Sequence, residues 1–207
     1  SRYSKQLDVL VYNPEVARPF YDVEGFSIVS ELAASCAVEV KSNLYGSEFE
    51  DAISVSQSVE ALCDKMTNRF PCLTFGFDGM TFATFIKKLE IIARDDFWHA
   101  PAIIAVHSQN YFAARETMPR DGMLPAYAAI DFGRAKAKAG LATASFLYWY
   151  SQVVGNKSGW RGIHCDDVYH WMSQGFIDYR RLEVGIGGGV VEYSPGEARD
   201  LRTWHEE

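Results

Sequence analysis

Ala34-Ser35-Cys36-Ala37-Val38-Glu39-Val40-Lys41 is an apolar run that carries a carboxylate and an ammonium two positions apart. Its β-branched and small residues, bounded by loop signals, read as a buried strand. Strand side chains alternate between faces, so Glu39 and Lys41 point one way while Val38 and Val40 enter the packing. Charges on the inner face of a core strand are costly unless they are paired or bound to metal. A second run, Gln6-Leu7-Asp8-Val9-Leu10-Val11-Tyr12, reads as a strand in the same way and carries Asp8. If the two strands are neighbours, two carboxylates and a lysine meet at one point, the constellation a metal-dependent phosphodiesterase needs. If the charges only neutralise one another, the pattern is an ion pair at a sheet end. On the residues alone both readings stand.

The chemistry of the first reading is specific. Phosphodiester hydrolysis near neutral pH needs a hydroxide, an in-line approach and neutralised phosphate oxygens, which hard Mg²⁺ supplies through oxygen ligands. Asp8 and Glu39 would be the carboxylate ligands and the Val40 carbonyl a neutral one, with Mn²⁺ as a substitute ion. Lys41 would orient the attacking water or stabilise developing charge.

Outward from these strands, Asn13-Pro14 opens a turn and an irregular stretch that runs through Pro19 and Gly25, followed by a short strand over 26–29. After the Lys41 strand, Ser47 with Glu50 three residues on predicts a capped helix. Ala52, Val55, Val59, Leu62 and Met66 would form its apolar stripe. Residues 71–77 predict a strand, Thr81 a cap for a second helix with Phe82, Phe85, Ile86, Leu89 and Ile92 on one face, and 101–107 and 126–132 two more strands. Residues 134–154 predict a long, nearly all-apolar helix, central to the fold or to an interface. Residues 166–174 predict a short helix stopped by Gly175, and 183–193 strand material around a glycine run. Strands interleaved with helices in this order give an α/β fold with a mixed sheet.

The 207 residues make one sizeable domain, and 48% hydrophobic with 14% aromatic content supports a full core. A net charge of −7 argues against a protein that wraps nucleic acid with its whole surface, yet leaves room for a small cutting site. The longest apolar stretch, 139–155, is interrupted by Thr143, Ser145, Ser151 and Gln152, so a buried helix is expected rather than a membrane span. No signal peptide is read. Cys36, Cys63, Cys72 and Cys165 lack metal-ligand spacing and read as reduced thiols of a cytoplasmic protein.

Weaker features have blander readings. Gly185-Ile186-Gly187-Gly188-Gly189 has no helix directly after it and no Gly-Lys-Ser/Thr, so a hairpin or bulge is expected rather than a phosphate loop. His164, Cys165, Asp166, Asp167 and His170 lack the second ligand pair of a zinc site. His107 is expected to be structural. Phe146, Tyr148, Trp149 and Tyr150 suit a core or an oligomer interface better than a base-stacking platform.

Ser4-x-Gln6-x-Asp8, then Ser30-Glu31-Leu32, then Ala37-Val38-Glu39-Val40-Lys41-Ser42 resembles the PD-(D/E)XK, restriction-endonuclease-like superfamily. It is similar to the bacterial branch that contains cyclic-trinucleotide-activated effector nucleases of anti-phage defence. The match spans roughly residues 4–78 and includes the eight-residue step from Glu31 to Glu39. The resemblance implies a restriction-endonuclease-like mixed β-sheet flanked by helices, and an Mg²⁺-dependent endonuclease acting on double-stranded DNA, with Asp8, Glu39 and Lys41 as its catalytic set. Gln6 and Glu31 are secondary candidates; on a straight strand Glu31 would lie about 26 Å from Glu39 at ~3.3 Å per residue. A cyclic oligonucleotide activator is implied by the family alone. A homo-oligomer suits the cutting of two strands.

Many relatives carry helices ahead of the Asp strand, so an N-terminal part is expected to be missing before Ser1. Residues 1–155 would form the nuclease-like core and 156–207 a C-terminal extension packed on it. The rival reading is a catalytically inactive module of the same fold, a nucleotide sensor or oligomerisation domain. A second rival is an enzyme on RNA or another polyphosphate.

Overall fold

In the computed structural model, residues 4–23, 26–30, 32–62, 70–118, 124–155, 163–164, 176, 178–184 and 190–193 are described. Among them, in chain order, are the strands β1 (Val9–Tyr12), β2 (Tyr21–Val23), β3 (Phe26–Ile28) and β4 (Ala34–Leu44), then the helix α1 (Gly46–Glu60). β5 (Cys72–Gly79), α2 (Phe82–Asp96), β6 (Ile103–Val106), β7 (Tyr111–Met118), β8 (Ala126–Asp131) and α3 (Leu141–Gly155) follow. β9 (Ile163–His164), β10 (Asp178–Val184) and β11 (Val190–Tyr193) complete the series. The main sheet runs β1-β4-β5-β6-β7-β8-β10-β11, with β9 beside β7. β4, β5 and β6 are mutually parallel and the other neighbours along the path antiparallel, so the sheet is mixed.

Parallel neighbours require crossovers, and α1 and α2 provide them. Both pack on one face, where Phe49, Ala52, Phe85, Ile86 and Leu89 meet Leu44, Ile104, Val106, Tyr111 and Tyr127. On the other face, Ala142, Phe146, Trp149 and Val153 of α3 cover Cys36, Val38, Leu73, Ile103 and Phe112. The strands buried between these layers are therefore apolar on both sides, which is why β6 reads as the continuous run Ile103-Ile104-Ala105-Val106.

Several expectations need correction. α1 starts at Gly46, whose φ of 44° turns the chain sharply out of β4, with Tyr45 as its N-cap and no side-chain cap bond. Ser47 thus falls inside the first turn, the capping box does not form, and Glu50 reaches across to Lys88 of α2 at 3.1 Å. The helix ends at Glu60, so Leu62 lies beyond it, and Met66 is outside the described residues. The Thr81 cap is present, its hydroxyl accepting from the Thr84 N–H.

The irregular stretch after Asn13 contains β2, which pairs with β3 in a separate two-stranded sheet. β7 was not anticipated, because Arg115 and Glu116 interrupt its apolar run. The helix expected over 134–154 begins only at Leu141: a short 3-10 turn at Lys136–Lys138 and Gly140 at φ 81° precede it. Phe146 and Trp149 enter the core and Tyr150 packs against it, while Tyr148 is 37% exposed. Strand structure near the C-terminus starts at Asp178, five residues before the expected Glu183, and continues the same sheet. Glu31, Cys63, Cys165 and residues 166–175 and 185–189 lie outside the described residues, as does the side chain of His164. No helix among the described residues is long and apolar enough to cross a membrane.

Candidate active site

β1 and β4 are antiparallel neighbours with Val9 opposite Val38, and extending that register by one step sets Asp8 opposite Glu39. Cross-strand partners share a face. The Asp8 strand is shorter and less buried than its sequence suggested: β1 begins at Val9, itself 43% exposed, and Asp8 sits on the bend that leads into it. Because β1 stops there, its backbone leaves the Val40 N–H of β4 unpaired. The Asp8 carboxylate takes that place, accepting from Val40 N–H at 2.8 Å. In an extended strand a residue's N–H and C=O lie on the same side, so the Val40 carbonyl also faces the Asp8 side.

Glu39 is 4% exposed. Burial raises its carboxyl above the usual range, opposed by the Lys41 hydrogen bond and reinforced by the charges of Asp8 and Asp51. Lys41 Nζ lies 2.9 Å from Glu39 Oε1, 2.8 Å from Asp51 Oδ2 and 3.6 Å from Glu48 Oε2. Burial works against its charge, but the bonds from Asp51 and Glu39 outweigh it and hold the ammonium above its ordinary value. The other oxygen of Glu39, Oε2, is buried with no hydrogen-bond partner among the described residues.

Asp51, Glu48 and Lys5 are participants the sequence reading missed. The single residue between β4 and α1 starts the helix beside Lys41, which brings Glu48 and Asp51 of its first turns to that ammonium. Asp51 also binds Lys5 Nζ at 3.1 Å, and the Lys5 N–H donates to Ser58 Oγ at 3.0 Å. These two bonds tie the segment bearing Asp8 to α1. Lys41 first and Lys5 second hold Asp51 below the usual carboxylate range. An acidic residue one helical turn beyond an E-x-K strand would have been the only available signal. Asp8, Glu39 and Lys41 thus come together, with the Val40 backbone beside them. Gln6 is exposed in the lead-in to β1, and Glu31 lies outside the described residues. His107 is exposed and engages Thr143 of α3 at 2.9 Å, away from this cluster.

Four carboxylates therefore face two ammonium groups, an excess of negative charge in a partly buried place. Among the described residues no group of three or more acidic, histidine or cysteine side chains is arranged to hold a metal. The side chains placed for such a role are the two carboxylates of Asp8 and Glu39. That set suits Mg²⁺, which is held by one or two carboxylates and completes its shell with water and phosphate oxygens.

No family model and no curated protein matches the chain. Solved structures do. The fold is similar to NucC of P. aeruginosa ATCC27853 in its cAAA-bound form, with a TM-score of 0.56 at 13% identity over 83% of this chain and 72% of that one. It is similar to NucC of E. coli MS115-1 in cAAA-bound form, with a TM-score of 0.54 at 14% identity over 83% and 72%. The apo form of the same E. coli protein gives 0.51 at 15% identity over 83% and 77%. The likeness is one of fold, and it agrees with the mixed sheet flanked by helices that the resemblance through Asp8, Glu39 and Lys41 implied.

Proposed function

We propose that the chain is a divalent-metal-dependent endonuclease that hydrolyses phosphodiester bonds in double-stranded DNA, acting as an effector in anti-phage defence. The observation that carries this reading is the convergence of Asp8 and Glu39 from adjacent strands, with the Lys41 ammonium on the same face. Asp8, Glu39 and the Val40 carbonyl would hold Mg²⁺, or Mn²⁺ in its place. Such an ion, when bound, supplies charge neutralisation at the phosphate and an acidified water. Glu39 and Asp51 fix the Lys41 ammonium, which donates to the attacking water or to the charge that develops on the phosphate. Burial of Glu39 keeps solvent off that side of the site.

The net charge of −7 argues against wrapping DNA with the whole surface and leaves room for a small cutting site. The likeness to cAAA-bound structures points to a cyclic oligonucleotide as the activator, and symmetric cutting of two strands to a homo-oligomer. The rival is an inactive module of the same fold. It is favoured by one observation, that Lys41 already has three carboxylate neighbours, as a structural ion pair would.

Supercoiled plasmid incubated with the protein, with Mg²⁺ or with chelator, and with or without cyclic triadenylate, separates the two. Cleavage is expected only with Mg²⁺. Lys41→Ala should lower turnover by about 10²–10³ and leave DNA affinity nearly unchanged. Cleavage that survives full chelation, or an unaffected Lys41→Ala, sinks the catalytic reading. An inactive parent together with a strongly destabilised Lys41→Ala establishes the structural pair instead.

A further inference from the structure

Cys72-Leu73-Thr74-Phe75 lies at the heart of the sheet, and alternation puts Cys72 and Thr74 on the α1 face. Thr74 is a polar residue at 1% exposure, in a strand whose neighbours are apolar. The parallel register sets it directly beside Glu39. Adjacent strands run about 4.8 Å apart, so the two side chains lie next to each other on one face. Thr74 Oγ1 is buried with no hydrogen-bond partner among the described residues, and so is Glu39 Oε2. Ser56 Oγ of α1 is a third buried oxygen, hydrogen-bonded to the Cys72 thiol and with acceptor capacity left over. Ser56 lies against the Cys72 thiol, and the Glu39 charge reaches that same thiol, so β4, β5 and α1 bring these groups to one place.

A buried hydroxyl and a buried carboxylate oxygen do not remain without partners in a folded protein. Two hydroxyls and one carboxylate oxygen are the two to four polar partners that a single buried water requires. Resting on the metal-dependent reading of the site, we propose that one water is bound between Thr74, Ser56 and Glu39, and that Thr74 is thereby a positioning residue for the Glu39 carboxylate. The water donates to Oε2 and accepts from the Thr74 hydroxyl. Oε1 stays with Lys41, and the plane of the carboxylate is fixed from behind. Partners that orient a ligating carboxylate in this way support metal affinity.

Mn²⁺ binding measured by electron paramagnetic resonance or calorimetry tests this, with thermal unfolding run on every sample. Thr74→Val keeps shape and removes the hydroxyl, so Mn²⁺ affinity should fall by about 10–100-fold. The melting temperature should hold or rise, since a buried polar group has gone. Thr74→Ser should restore the parent affinity, and Ser56→Ala should weaken it in the same direction as Thr74→Val. Parent-like Mn²⁺ affinity in Thr74→Val overturns the role of Thr74 and leaves the metal site standing. A parent that binds no Mn²⁺ overturns both. Should Thr74→Val fail to fold, a Thr74→Ser and Ser56→Ala pair with equal affinities overturns the proposal, and a weaker Ser56→Ala supports it.

Discussion

Lys41 is held by carboxylates from two elements, and Asp51 makes the shortest of its ion pairs. Asp51 sits below its ordinary value because Lys41 and Lys5 bond to it. A depressed carboxyl contributes stability that is complete above the unfolded value, here 3.8, and is lost as pH falls through the lower folded value. Asp51→Asn should therefore unfold at lower urea than the parent at pH 5–7, and the gap should close as the pH drops well below 4. A gap that persists unchanged in acid would mean that Asp51 acts through packing. The thiols of Cys36 and Cys72 lie in the same strands as Glu39 and Thr74 and are both pushed up by burial, Cys72 to about 12. They are inert core groups rather than nucleophiles.

At the scale of elements, the site depends on how β4, β5 and β6 lie against one another. Gly79 ends β5 where a Cβ would stand 2.9 Å from Val106 Cγ1, 3.3 Å from its Cγ2 and 3.4 Å from Leu44 Cβ. Val106 is branched at Cβ and fully buried, so it has no other rotamer to retreat to. Gly79→Ala should cost about 1–3 kcal/mol by overpacking, read as a lower urea midpoint with an unchanged slope. The turn after β6 is fixed differently. Asn110 takes φ 55°, donates to the carbonyls of Gly133 and Lys138, and accepts from the Ala142 N–H at the start of α3. One side chain thus joins the sheet to the helix that covers its second face.

For the whole molecule, the proposed ion would be linked to the fold, because the unfolded chain has no Asp8–Glu39 pair to offer. At a Mn²⁺ concentration of 100 times the dissociation constant, linkage adds about 2.7 kcal/mol of stability. For a domain of this size that is a rise of about 5–10 °C in melting temperature. Asp8→Ala should abolish the rise; because it also removes the acceptor of the Val40 N–H, its metal-free melting temperature should be modestly lower than the parent's, and the ion-induced rise is read against that baseline. An equal rise in both proteins would place the ion elsewhere.

The strands and helices with uninterrupted patterns were legible in the residues: β4, β5, β6 and β8 as apolar runs, and α2 as a capped stripe. So was the core of the candidate site, because Asp8, Glu39 and Lys41 each break an apolar strand where a charge needs a reason. β7 was not legible. Arg115 and Glu116 interrupt its apolar run, yet both are buried: Arg115 pairs with Glu60, 55 residues away, and Glu116 with Arg181, 65 residues away. Asp51, Lys5 and Thr74 were hidden for the same reason. A strand's alternation and a helix's stripe are local properties, set by backbone geometry within a few residues. Whether a charge is paired, a hydroxyl buried or a strand covered on both faces depends on partners that only the closed sheet brings within reach.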